Sequence, residues 1–385
     1  MYHRRGLIAL CALFIALSSA NDARSQNFSI IPSLSLEERY DSNVRFRSDS
    51  EDSDSDFIST VSPAVRASKE GIRYDIDAYY RLDADYHSQD TDLDSVSHKA
   101  TLGARYELSN KTRIGLGDTY YFTKDSLRAT ETGILVVRTD ISANTVFFNI
   151  GHQLGPKIDI GLTLRDTNLD FEEQSLVDTR TDSASLTGGY KYNPAGRASV
   201  TYKFTNFSFD SNGNKDIESH ALFFSIAETV DPTLKVDLSA GVVYASGLDG
   251  GQDDYFLTAT AGLEKTLRDS TIAILYSRAV TNPTGLTDEI NINDRLSFTL
   301  SHTLSRDISL SVTGGLAKSR TEPSGRVDMN SYDTSAQATW QAKRWMKFGA
   351  GVQHFQQWPK DNFGTGLTRN QVFVNVTFTG PEWRF

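Results

Sequence analysis

The residues best suited to chemistry are histidines, carboxylates and arginines, so their spacing comes first. Six histidines follow the N-terminal leader: His87, His98, His152, His220, His302 and His354. No two have metal-ligand spacing, and the only cysteine, Cys11, lies inside the leader, so neither a transition-metal site nor thiol chemistry is expected. His87 stands close to Asp85 and Asp90, a pairing that hydrolases use as a base and its orienter. A polar residue where a strand meets a loop is the better reading. The run Ser48-Asp49-Ser50-Glu51-Asp52-Ser53-Asp54-Ser55-Asp56 has oxygen ligands for Ca²⁺ but lacks the glycine and terminal glutamate of an EF-hand loop. It reads as a solvated charge run. There is no G-x-S-x-G turn, no H-E-x-x-H and no P-loop. The chain is not expected to be an enzyme or to carry a cofactor or metal.

A charged ladder is more informative. Arg73, Asp75, Asp77, Tyr79, Arg81, Asp83 and Asp85 occupy every second position, with Lys99, Arg105, Asp159, Arg165 and Arg295 in equivalent phase further on. Both signs of charge on one face would keep water in a channel. The competing reading is that these pairs brace a wall or hold an inward-folded loop.

The elements that must position this ladder are long strands. Ile72, Tyr74, Ile76, Ala78, Tyr80, Leu82, Ala84 and Tyr86 interleave with the charged residues, and alternate strand positions face opposite sides. The run exceeds an ordinary strand of about 5–6 residues and suits a tilted strand crossing a bilayer, which needs about 9–11. The pattern recurs in Ile158–Leu164, Leu234–Val242, Leu296–Leu300, Ile308–Val312 and Val372–Phe378. Scanning the whole chain gives about eighteen such segments, with sixteen the alternative, since strand ends read from sequence are uncertain by a few residues. Two segments are irregular: Asp118 falls in phase with Ile114 and Leu116, and the apolar phase slips between Phe204 and Phe207. Bulges would absorb both.

Connections alternate between short turns, such as Gly155-Pro156 and Asp231-Pro232, and long polar loops, such as Asp41 to Asp56 and Asp125 to Arg138. Tyr40, Phe57, Tyr86, Tyr244, Tyr255, Tyr332 and Trp358 sit beside long loops; Tyr106, Tyr190, Tyr192, Trp340 and Trp345 sit beside short turns. Two aromatic girdles and unequal rims describe an outer-membrane barrel. An open sheet edge in hydrocarbon would cost several kcal/mol per unpaired backbone group. The expected fold is therefore all-β, a transmembrane antiparallel up-and-down β-barrel.

Composition agrees. The chain has 385 residues, 39 basic and 49 acidic, with 16 Tyr, 21 Phe and 4 Trp. So many aromatics argue against disorder, and a formal charge of −10 without a basic patch argues against nucleic acid. His3, Arg4 and Arg5 precede an apolar run from Leu7 to Leu17, which reads as a secretory signal rather than a membrane helix. Residues 1–25 are expected to be that signal, cleaved after Ala20 or Ser25, and 26–385 a single barrel domain of the bacterial outer membrane. The chain ends on Phe385, with Pro381 interrupting the last strand; Phe378 is expected to be the last aromatic that pairs.

Ile31-Pro32-Ser33-Leu34, Glu38-Arg39-Tyr40-Asp41-Ser42-Asn43-Val44 and Asp56-Phe57-Ile58-Ser59-Thr60-Val61-Ser62-Pro63-Ala64-Val65 resemble the start of the putative β-barrel porin 2 family of outer-membrane proteins. The resemblance implies a porin-like barrel, of a kind whose members often accompany exopolysaccharide systems, and brings no catalytic residues. The reading drawn from it is a passive conduit for export of a polysaccharide. Tyr79 and Phe373 would then offer ring faces to sugars. The alternatives are a general or solute-selective diffusion porin and a non-conducting structural or adhesive barrel. Expected partners are outer-membrane lipid and lipopolysaccharide, the barrel-assembly machinery and a periplasmic polysaccharide-export protein.

Overall fold

A computed structural model describes residues 27–125, 138–211, 215–248, 252–281, 285–360 and 366–385. The proposed signal segment lies outside the described residues. Long strands follow one another along the chain: β1 (Asn27–Asp41), β2 (Asp56–Glu70), β3 (Tyr74–His87), β4 (Ser95–Ser109), β5 (Thr112–Thr123) and β6 (Ile141–Gln153). They continue as β7 (Ile158–Phe171), β8 (Asp178–Lys191), β9 (Gly196–Asp210), β10 (Lys215–Asp231), β11 (Leu234–Leu248) and β12 (Gln252–Thr266). The last are β13 (Ser270–Thr281), β14 (Ile290–Ser305), β15 (Ile308–Glu322), β16 (Asp328–Lys343), β17 (Met346–Pro359), β18 (Leu367–Thr379) and the two-residue β19 (Trp383–Arg384). One 3₁₀ turn, Thr91–Leu93, interrupts the series.

Strands β1 to β18 each pair antiparallel with their sequence neighbours, and β18 pairs with β1 from Ser33 opposite Thr379 to Asp41 opposite Gln371. The result is a closed barrel of eighteen strands. Closure satisfies the backbone groups that an edge would leave bare in lipid. Pro381 does not end the pairing. Beyond Gly380, β19 resumes against Ser29 and Ile30, and the Phe385 N–H donates to the Phe28 carbonyl at 3.0 Å. The Phe28 and Phe385 rings lie 5.9 Å apart, so the terminal aromatic is part of the seam, contrary to the expectation that Phe378 is the last to pair.

Register carries one apolar face from strand to strand. Ile76 faces Ala104, then Leu116, Phe148, Leu164, Ala184 and Phe204 follow along a single row. Many side chains of this face are exposed, among them Leu116, Leu164, Leu186, Leu238, Leu316, Val372 and Val374. A soluble protein would bury such a surface; a membrane barrel turns it to lipid. On β3 this face runs from Tyr74 to Tyr86, roughly 30 Å at ~3.3 Å per residue and a tilt of ~40°. Tyr106, Tyr190, Trp340 and Trp345 are exposed at the short-turn rim, and Phe57, Tyr86, Tyr255 and Trp358 at the long-loop rim.

The expected bulges at the two irregular segments are absent. Pairing runs unbroken through Asp118 and from Phe204 to Phe207. Asp118 stays on the outer face, where Asn144 Nδ2 donates to its carboxylate at 2.7 Å. On β9 the outer face keeps Phe204, while Phe207 and Phe209 point inward and are buried. The phase change therefore marks the level at which the interior stops being watery. Register shifts fall instead near the strand ends, between Glu107 and Ser109 and between Gln341 and Lys343, for example.

Burial is lopsided. Nearly all buried side chains gather at the long-loop end, in clusters around Phe207, Phe209, Ile217, Val243 and Ile290, around Phe46, Phe355 and Leu367, and around Ile141 and Leu169. At the short-turn end the interior positions Asp75 and Arg105 remain exposed.

Candidate functional site

The interior face is identified by contacts that cross the barrel. Arg369 on β18 reaches Asp125, just after β5, at 3.0 Å, a span only the interior allows. Register then assigns every alternate residue, and all twelve ladder residues singled out from the sequence carry the inward phase. Arg73 precedes β3 and is exposed at the rim rather than within the strand.

Few of these charges stand free. Asp77 accepts from Arg66 at 2.7 Å, Arg81 donates to Asp83 at 2.5 Å and to the Ser62 hydroxyl at 3.1 Å, and Thr60 donates to Asp85 at 2.6 Å. Asp75 and Arg105 sit opposite each other in the β3–β4 register, as do Tyr79 and Thr101. Lys99 lies over the Tyr121 ring, 5.0 Å from its centroid. Asp159 is held by Arg197 through two bonds of 2.5 and 3.1 Å, and Arg295 by Asp333 at 2.8 Å. Both readings of the ladder thus meet in one wall: its charges brace neighbouring strands while facing the interior. Arg165 is the exception, exposed and opposite Phe147. From β13 to β18 the interior positions are chiefly Ser, Thr, Gln, Asn and Gly, including Ser297, Thr299, Ser311, Ser335, Gln353 and Asn375.

At the long-loop end, side chains from several strands and loops meet across the interior. Arg369, 8% exposed in its side chain, clasps the fully buried Asp41 through Nε at 2.9 Å and Nη2 at 2.7 Å, and Gln371 adds a third donor at 2.7 Å. Phe46, in the first long loop, packs beneath the Arg369 guanidinium at 4.7 Å and near that of Arg138 at 5.9 Å. Arg138 donates to the carbonyls of Val44 and Leu93 at 3.0 and 3.2 Å, tying three loops together. Burial, and after it the neighbouring Arg369 charge, hold Arg138 below the usual arginine range. A second crossing joins the β13–β14 loop to the β7–β8 loop: the Val177 N–H donates to the Gly285 carbonyl at 2.7 Å.

His87 lies under this cover with a fully buried side chain, 3.5 Å from Asp94. It touches no nucleophile arrangement, and Asp90 is occupied by Arg45 at 2.9 Å. The acidic run is not simply solvated, because Asp54 forms ion pairs with Arg45 at 3.2 Å and Arg47 at 3.0 Å, and Thr368 donates to Asp49 at 3.1 Å. Among the described residues no group of His, Cys, Asp and Glu is arranged to hold a metal.

Sequence reasoning missed Arg369, Asp41, Arg138, Phe46 and the pairing of Arg197 with Asp159. Alternation marks Arg369 and Asp41 only as inward residues near a rim; nothing local says that a loop five strands away will meet them. Lys203 was findable, since it shares the phase of Thr201 and Thr205 between Tyr202 and Phe204.

Residues 23–203 match the family model described as putative beta-barrel porin 2. No curated protein matches the chain. Among solved structures, Pseudomonas aeruginosa OccK2 (OpdF) aligns at 8% identity and a TM-score of 0.49, covering 92% of this chain and 98% of its own. Acinetobacter baumannii OccAB4 aligns at 11% identity and 0.47, covering 94% and 100%. The siderophore receptor PirA from Pseudomonas aeruginosa aligns at 7% identity and 0.48, covering 91% and 80%. The family is one of porins, which is where the reading of the chain as a non-enzyme rests. The resemblance carried by the opening residues is thereby shown: across residues 23–203 the chain matches the putative beta-barrel porin 2 family, and it is a porin-like barrel of the bacterial outer membrane.

Proposed function

We propose that the barrel is a solute-selective diffusion porin that passes small hydrophilic molecules down their gradients. The observation that carries this reading is the contrast between the two ends of the lumen. At the short-turn end the interior wall is exposed and lined by charged and hydroxyl side chains. At the outer end the Arg369–Asp41–Asp125 clasp and the Val177–Gly285 crossing narrow the way. A narrowed, polar-lined passage selects by size and charge. A polymer conduit would need a continuous wide opening, and inward-folded loops tied by buried ion pairs count against it, so the export reading gives way to the solute reading.

The test is conductance of the purified protein in planar bilayers, together with swelling of liposomes in sugars and organic acids of graded size. Discrete channels and uptake that falls off steeply with solute size are expected. Insertion without current would favour a structural barrel. Passage of long dextrans, or loss of secreted polysaccharide on deletion of the gene, would return the export reading.

A further inference from the structure

Two interior cations lack the carboxylates that neutralise their neighbours. Arg165 on β7 and Lys203 on β9 point to the same face across β8, where Ser183 stands opposite Arg165 and Ser185 opposite Lys203. Neither forms an ion pair with any described residue. Other cations on the wall do meet carboxylates, as in Arg66–Asp77, Arg197–Asp159, Lys235–Glu264 and Arg295–Asp333.

The missing carboxylates are present in the sequence but face the other way. Asp166 follows Arg165, and Asp182 precedes Ser183, so alternation places both on the outside, where Arg180 pairs with them at 2.6 and 3.1 Å. The carboxylates next to this pair are thus engaged on the other face and do not reach it. Holding two like charges on a protein wall without a counter-ion is unfavourable. It becomes favourable when a mobile anion arrives.

The surroundings fit such a guest. Among the described residues, the Ser183 and Ser185 hydroxyls make no side-chain hydrogen bond, and Thr181 Oγ1, two residues further along the same face, is buried without a partner. Phe147 and Phe223 flank the pair on β6 and β10, leaning away over Gly117 and Gly241 and so leaving the centre open. Below, at the short-turn end of the same wall, Lys191, Arg197, Lys235 and Asp237 line a cavity of about 310 Å³.

We propose that Arg165 and Lys203, with the hydroxyls of Ser183 and Ser185, form an anion station on the lumen wall for small oxyanions bearing a carboxylate or phosphate group. This rests on the diffusion-porin reading and names the solute class it serves. The full-length protein is to be reconstituted in planar bilayers under a KCl gradient, with acetate and inorganic phosphate as probes. The same two probes are titrated calorimetrically into the detergent-solubilised barrel. The wild type is expected to prefer chloride to potassium and to bind at least one probe; which one it binds separates carboxylate from phosphate solutes. Binding should weaken about tenfold or more in Arg165→Gln/Lys203→Gln, the loss expected for charge-assisted hydrogen bonds. It should hold in Arg165→Lys/Lys203→Arg. Lys235→Gln, which removes one paired cation, should leave binding within about twofold of wild type. Heat-modifiable gel migration checks that each variant forms a barrel. Equal binding by wild type and the double Gln variant, or preference of the wild type for potassium, overturns the station. Absence of current with binding that the double variant loses would keep the station and sink the porin reading.

Discussion

Replacing Arg369 by glutamine should unlock the outer mouth while leaving the barrel standing. The Arg369 side chain is 8% exposed and Asp41 fully buried, with Asp125 and the Phe46 ring completing the clasp. Arg369→Gln leaves a buried carboxylate without its cation. Breaking a buried ion pair by removing one member costs about 3–5 kcal/mol, which shifts an equilibrium by about a hundredfold or more, since about 1.4 kcal/mol is tenfold. The backbone ladders of β18 to β17 and β1 do not depend on this side chain, so the barrel should stand while the contacts to Asp125 and Phe46 across the interior are released. Single-channel recording should therefore show larger or more frequently open conductance, with unchanged heat-modifiable migration of the folded band. Asp41→Asn/Arg369→Gln removes the stranded charge and should recover part of the wild-type behaviour. If Arg369→Gln inserts normally and its conductance and gating match wild type, the clasp does not narrow the path and the reasoning fails.

Three further outcomes follow from the same geometry. Leu162→Arg, on the lipid face opposite Ile150 and Leu186, should cost roughly 2–4 kcal/mol near mid-membrane and reduce the heat-modifiable folded fraction; Asp159→Asn, one step inward from Ile158, should fold normally and alter only ion preference, and equal tolerance of both would contradict the face assignment. Asp118→Leu/Asn144→Leu should fold at least as well as wild type in a urea titration of bilayer-inserted protein, because an apolar pair replaces a hydrogen-bonded polar pair at the lipid surface; marked loss of stability would mean that the pair is needed there. Gly285 has φ of +80° and its missing Cβ would collide with the Phe171 ring, so Gly285→Val should push the β13–β14 loop from Val177 and raise conductance. Unaltered single-channel currents in that variant would show that this crossing does not limit flow.

The alternation of apolar and polar residues was enough to set the fold. Positions such as Ile158, Ile160, Leu162 and Leu164 against Asp159, Thr163 and Arg165 decide their faces locally, because the side-chain period of a strand is two and lipid rejects the wrong face. Rim aromatics and turn lengths then set the orientation of the strands. What alternation could not carry is which charges meet. Arg197 finds Asp159 because β7 and β9 flank β8 in the register, and Arg369 finds Asp125 only because the barrel closes and a loop folds back through it. The phase slip at Phe207 looked like a bulge because alternation is a rule for one interior environment, and here the interior changes from water to packed loop part-way along the strand. Local sequence determines which way a side chain points; closure, register and loop return determine what it finds there.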